Sequence, residues 1–124
     1  MHTVLETTTF SQSAKGLGLT EAERHQIADR IGNDPLCGDL IKGTGGARKI
    51  RFPRHGKGKS GGYRVVTYYG GDDVPVFLLD IYSKGERIDL SQAERNELKS
   101  LLSTLADDYR ASMTKRVQGL SESA

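Results

Sequence analysis

Acidic residues are missing from the middle of this sequence: no Asp or Glu occurs between Leu40 and Gly71. The same stretch holds Lys42, Arg48, Lys49, Arg51, Arg54, Lys57, Lys59 and Arg64, a local charge of +8 in a chain whose net charge is +2. The rest of the chain therefore balances at −6. Other scarcities exclude whole classes of protein. A single cysteine, Cys37, cannot make an internal disulfide, which suits the cytoplasm. Beside Pro35 and Leu36 it reads as a packing residue, not a nucleophile. No apolar run approaches the roughly 18 residues of a membrane span. The opening MHTVLETTTF lacks the basic region and long apolar stretch of a secretory signal. Clustered carboxylates are also absent, which argues against a metal-dependent nuclease, so neither a metal site nor a cofactor is expected. At 124 residues, one domain spanning 1–124 is expected, with a frayed tail from about Gln118.

Patterning predicts an α+β fold. Thr3–Thr9, rich in threonine and valine, reads as a first strand. A short helix fits Phe10–Gly18. Thr20 and Glu23 form a capping box that opens a second helix, closed by Asn33-Asp34-Pro35, with Ile27, Ala28 and Ile31 as its apolar stripe and His25 exposed. Three strands follow at Ala47–Phe52, Tyr63–Tyr69 and Val76–Tyr82. Their short connections require an antiparallel meander, because parallel neighbours need a crossover of about a dozen residues. Ser91 and Glu94 form a second capping box. Beyond it Leu98, Leu101, Leu102, Leu105, Tyr109 and Met113 recur at helical spacing, as core or partner contact. The expected order is β-α-α-β-β-β-α, a small antiparallel sheet packed with helices.

Residues 56–61, GKGKSG, match the glycine spacing of a dinucleotide fingerprint. That motif works only where the glycines open a helix whose N-terminus holds the pyrophosphate. Here a β-branched and aromatic run follows, and Pro53 stands where a P-loop needs glycine. The segment instead reads as a basic hairpin loop. His55 within it is considered as an acid or base, although loop histidines are usually inert.

Strand alternation places Lys49 and Arg51 on one face of their strand. Arg64 shares a face with Val66 and Tyr68, and Tyr82 shares one with Asp80 and, if the strand continues, Lys84. Alternation alone does not say whether these faces coincide. If they do, four cations and a phenol form one patch suited to a phosphodiester, whose transition state gathers negative charge on its equatorial oxygens. With RNA the substrate's own 2′-OH can attack, so neither a metal nor a protein nucleophile is needed. A lysine crowded by other cations could take the 2′ proton.

The segments GTGGARKIRF (43–52), GKGKSGGYRVVTYY (56–69) and VFLLDIYSKGE (76–86), in this order, resemble the RelE/ParE toxin superfamily, and within it the RelE- and HigB-type mRNA interferases. The resemblance implies a RelE-like fold and a cytoplasmic type II toxin that enters the ribosomal A site and cleaves translated mRNA without a metal. It also implies a cognate antitoxin, of the helix-turn-helix, HigA-like kind. By position, Lys49 and Arg51 match the basic pair of the first meander strand, either of them a candidate general base. Arg64 matches the arginine on the scissile phosphate. Lys84 sits near the family's basic residue after the last strand, where it would stabilise charge or protonate the leaving group. Tyr109 lies too far into the leucine stripe for a catalytic phenol, which leaves Tyr82 as the candidate. Arg48, Arg54, Lys57 and Lys59 are expected to track RNA phosphates, with salt-sensitive affinity. The alternatives are a ParE-like toxin acting on DNA gyrase without nuclease activity, and a non-catalytic RNA-binding domain.

Overall fold

The chain runs β1 (Val4–Glu6), α1 (Thr8–Gly16), α2 (Glu21–Asn33), β2 (Asp39–Leu40), β3 (Arg48–Phe52), β4 (Tyr63–Tyr68), β5 (Val76–Ser83) and α3 (Gln92–Ser123). The computed structural model describes residues 1–53, 62–85 and 89–123. One five-stranded sheet, ordered β1-β5-β4-β3-β2, forms the centre. The meander β3-β4-β5 is antiparallel as its short links require, while β1 joins β5 in parallel, so the sheet is mixed.

The first strand is shorter than its composition predicts. Thr7 ends it by becoming a helix cap: its hydroxyl accepts from the Phe10 N–H (3.2 Å) and donates to the Leu78 carbonyl (2.8 Å). Threonine favours strands, but it also caps helices well, and here the cap wins. Helix α1 therefore starts at Thr8, two residues before the expected Phe10. Helix α2 carries the Thr20–Glu23 capping box and ends at Asn33, and Ser91 and Glu94 exchange the same reciprocal hydrogen bonds before α3. The two-residue strand β2 has too little pattern to be read from sequence.

Alternation along the meander builds two cores. On one face Ile50, Phe52, Tyr63, Val65 and Ile81 pack with Phe10 and Ala14 of α1 and Ile27 and Ile31 of α2. Cys37 lies half-buried against this cluster, and burial raises its thiol pKa, in keeping with a packing role. On the other face Val66, Phe77, Leu79 and Tyr82 pack with Leu90, Leu102 and Ala106. The leucine stripe of α3 divides along its length. Leu102 is buried and Leu98, Leu105 and Tyr109 partly so, whereas Leu101 is 48% exposed and Met113 is exposed. From Ala111 to Gly119 every side chain of α3 is exposed.

The path of α3 decides what the second face leaves open. Arg95, in its first turn, lies at Lys49 through a shared carboxylate. Farther along, Ala106 sits over Gly70 and Arg110 grips Asp73 at 2.5 and 2.7 Å, both in the β4–β5 turn. The helix thus covers the turn end of this face. The opposite end, where β3 and β5 finish and β4 begins, lies away from that path.

Candidate functional site

Register answers what alternation left open. In the antiparallel ladders Arg51 pairs with Arg64 and Arg64 pairs with Tyr82, so the three residues form one row across β3, β4 and β5. Directly paired residues project to the same face. The next row is Lys49, Val66 and Asp80. Lys84 follows the last strand, and its N–H donates to the Gly62 carbonyl (3.1 Å), continuing the β4–β5 ladder by one pair. Lys49, Arg51, Arg64, Tyr82 and Lys84 are therefore brought to one side of the sheet.

The loop before β3 sets that strand in place. Gly43, Gly45 and Gly46 all have positive φ, a region that L side chains rarely adopt. Thr44 between them is fully buried, donating to the Ile41 carbonyl (2.7 Å) and accepting from the Ala47 N–H (3.1 Å). The GTGG sequence is thus a tight turn stapled by one hydroxyl. Gly62 has a different role. A Cβ there would lie 3.1 Å from the Phe52 carbonyl oxygen, 3.5 Å from Arg64 Nη1 and 3.7 Å from Arg51 Nε. The missing side chain leaves a point above Gly62 that both guanidinium groups approach within 4 Å.

The cations differ in their partners. Arg51 and Lys84 are exposed and Arg64 is half-buried, with Arg64 Nη1 3.5 Å from the Tyr63 carbonyl. Among the described residues, no carboxylate forms an ion pair with any of these three. Lys49 Nζ instead lies 3.4 Å from Asp89 Oδ1. Asp89 also accepts from the Leu90 N–H (2.8 Å) and from Arg95 Nη2 (3.1 Å). The Leu90 N–H, and after it Lys49 and Arg95, hold the Asp89 carboxyl below the usual aspartate range despite some desolvation. Sequence reasoning does not find Asp89 and Arg95. Asp89 lies beside the second capping box, but nothing in the pattern shows that this link returns to β3.

Other expected residues fall elsewhere. Arg48 is on the opposite face, where Nη1 donates to the carbonyls of Leu36 (3.0 Å) and Gly38 (3.2 Å). It ties down the link before β2 and is not part of the row. Tyr82 is in the row but only 2% exposed, its ring within the α3-side core. Its phenol is therefore not presented at the surface beside the guanidiniums. Arg54, His55, Lys57, Lys59 and the 56–61 glycine motif lie outside the described residues.

Two guanidinium groups that approach one point, on the same side of the sheet as the exposed Lys84, make a site suited to an oxyanion with several oxygens, because arginine donates in a planar, bidentate geometry that matches phosphate. No helix among the described residues is long and apolar enough to cross a membrane. A family model described as the RelE toxin of the RelE / RelB toxin-antitoxin system matches residues 2–121.

Proposed function

Because the chain belongs to the RelE toxin family of toxin-antitoxin systems, we propose that it is an endoribonuclease that cuts mRNA on the translating ribosome and is neutralised by its cognate antitoxin. The observation that carries this reading is the register: Arg51 and Arg64 are paired across β3 and β4, and both guanidiniums approach the point above Gly62. Guanidinium groups are permanent donors, so Arg51 and Arg64 are assigned to the non-bridging oxygens of the scissile phosphate. The substrate 2′-OH attacks phosphorus and gives its proton to solvent water, the bond to the 5′ oxygen breaks as that oxygen takes a proton from the Lys84 ammonium, and the products are a 2′,3′-cyclic phosphate and a 5′-hydroxyl end. Charge that builds on the equatorial oxygens meets fixed donors, which is where such a site gains most of its rate. Lys84, exposed beyond β5, is assigned to the leaving oxygen, and Lys49 adds a further fixed charge on the same face. Tyr82, the cross-strand neighbour of Arg64, is the buried member of the row and is assigned no role at the reacting atoms.

Ribosome dependence is part of the proposal. The patch offers fixed charge, which positions a phosphate but does not read a base, and this supports a reading in which the ribosome positions the substrate. The test is a reconstituted translation reaction with a defined mRNA. The expected result is cleavage only when ribosomes translate, with 5′-hydroxyl ends on the downstream fragments. Absence of cleavage, or 5′-phosphate ends, would overturn the reading.

A further inference from the structure

We propose that Asp89 is a positioning residue that fixes the Lys49 ammonium for the cleavage step, an inference that rests on the nuclease reading above. Among the described residues of the basic face, Lys49 differs from Arg51, Arg64 and Lys84 in having a carboxylate partner. That partner is itself held from two sides. Asp89 Oδ1 accepts from the Leu90 N–H at 2.8 Å, and Oδ2 accepts from Arg95 Nη2 at 3.1 Å. A backbone donor at the entry to α3 and a guanidinium in its first turn thus set the carboxylate before Lys49 meets it.

Lysine is a point charge on a flexible four-carbon stem, and a free one samples many rotamers. Register already puts that stem on the face of Arg51 and Arg64, and a fixed carboxylate narrows the rotamers it samples there. Orientation of this kind matters to rate, since misplacing a catalytic group by about 1 Å can cost on the order of a hundredfold. Position, not acidity in general, is the point. Asp39 is the direct cross-strand partner of Lys49 on β2, yet it is exposed and makes no ion pair with it. Two aspartates therefore flank one lysine, and Asp89 is the one that grips it.

Asp89→Asn keeps an oxygen to accept from the Leu90 N–H and removes the charge that holds Lys49. The experiment measures single-turnover cleavage of a ribosome-bound mRNA at saturating protein for the parent, Asp89→Asn, Lys49→Ala, the double variant and Asp39→Asn, with thermal unfolding of each. The expected result is a loss of about tenfold for Asp89→Asn, no change for Asp39→Asn, and less than about twofold further loss when Asp89→Asn is added to Lys49→Ala. A merely structural role would slow the Lys49→Ala background by the same factor as the parent. That outcome, or a parent-like rate for Asp89→Asn, overturns the proposal. If the parent protein itself fails to cut, the nuclease reading falls, and this inference falls with it.

Discussion

The two faces of the β3-β4-β5 meander are built from the same three strands and are put to opposite uses. Toward α1 and α2 the face is apolar through its middle, with Ile50, Phe52, Tyr63, Val65 and Ile81 buried beneath two helices, and Arg48 stands on it only where β3 begins. Toward α3 the face is apolar only where the helix passes, and it ends in Arg51, Arg64 and Lys84. The difference shows how a small domain can hold a charged site without a deep cavity. Both faces carry a buried cluster, and the second also holds the cations at its end. On that second face α3 runs toward the β4–β5 turn, where Arg110 and Asp73 anchor it, and Arg51 and Lys84 stay exposed at the far end.

If this division holds, substitutions should separate cleanly by face. Phe10→Ala removes a fully buried ring from the closed face. It should cost about 3–5 kcal/mol in denaturant unfolding, a large share of the roughly 5–15 kcal/mol that a domain has. Arg51→Ala, on the open face, should change stability by less than about 0.5 kcal/mol. It should lower cleavage by at least about tenfold and reduce the salt dependence of RNA binding. For single-stranded RNA the logarithmic slope should become shallower by about 0.7, the share of the one phosphate that Arg51 neutralises. A stability loss on the scale of Phe10→Ala would show that the open face also carries the fold.

The smallest expected effect concerns carboxylates outside both cores. The Arg24 hydrogen bond lowers the pKa of Glu6, and the Leu90 N–H lowers that of Asp89. A carboxylate whose folded value lies below its unfolded one stabilises the fold above the unfolded value and loses that contribution as pH falls through the folded one. Stability should therefore be flat from neutrality to the ordinary carboxylate range and decline below it. Glu6→Gln should flatten that decline by less than about 1 kcal/mol, since the pair with Arg24 is partly exposed. A decline that begins at neutral pH would point to a different group.

Most of the fold was legible because its signals are local. The two capping boxes fix where α2 and α3 begin, and β-branched alternation fixes the meander. Where two local preferences compete, as in the threonines at 7–9, sequence named a strand and the structure makes Thr7 a cap. The site was legible only as a set of residues. Lys49, Arg51 and Arg64 stand out by charge and by resemblance, but their meeting depends on register, which composition does not encode. Asp89 is harder still, because its hydrogen bond with Lys49 joins residues forty positions apart through the route of a loop. The burial of Tyr82 likewise comes from packing within the second cluster, which strand alternation does not show.

The central claim is that the paired arginines at the open end of the sheet cut translated mRNA. Mapping mRNA 5′ ends by primer extension, in translation reactions containing either the parent protein or Arg64→Ala, tests it most directly. The account predicts new ends within the translated region for the parent and a loss of about 10²–10³-fold for Arg64→Ala, with the unfolding midpoint unchanged. New ends at equal frequency with both proteins, or none with the parent, would contradict it.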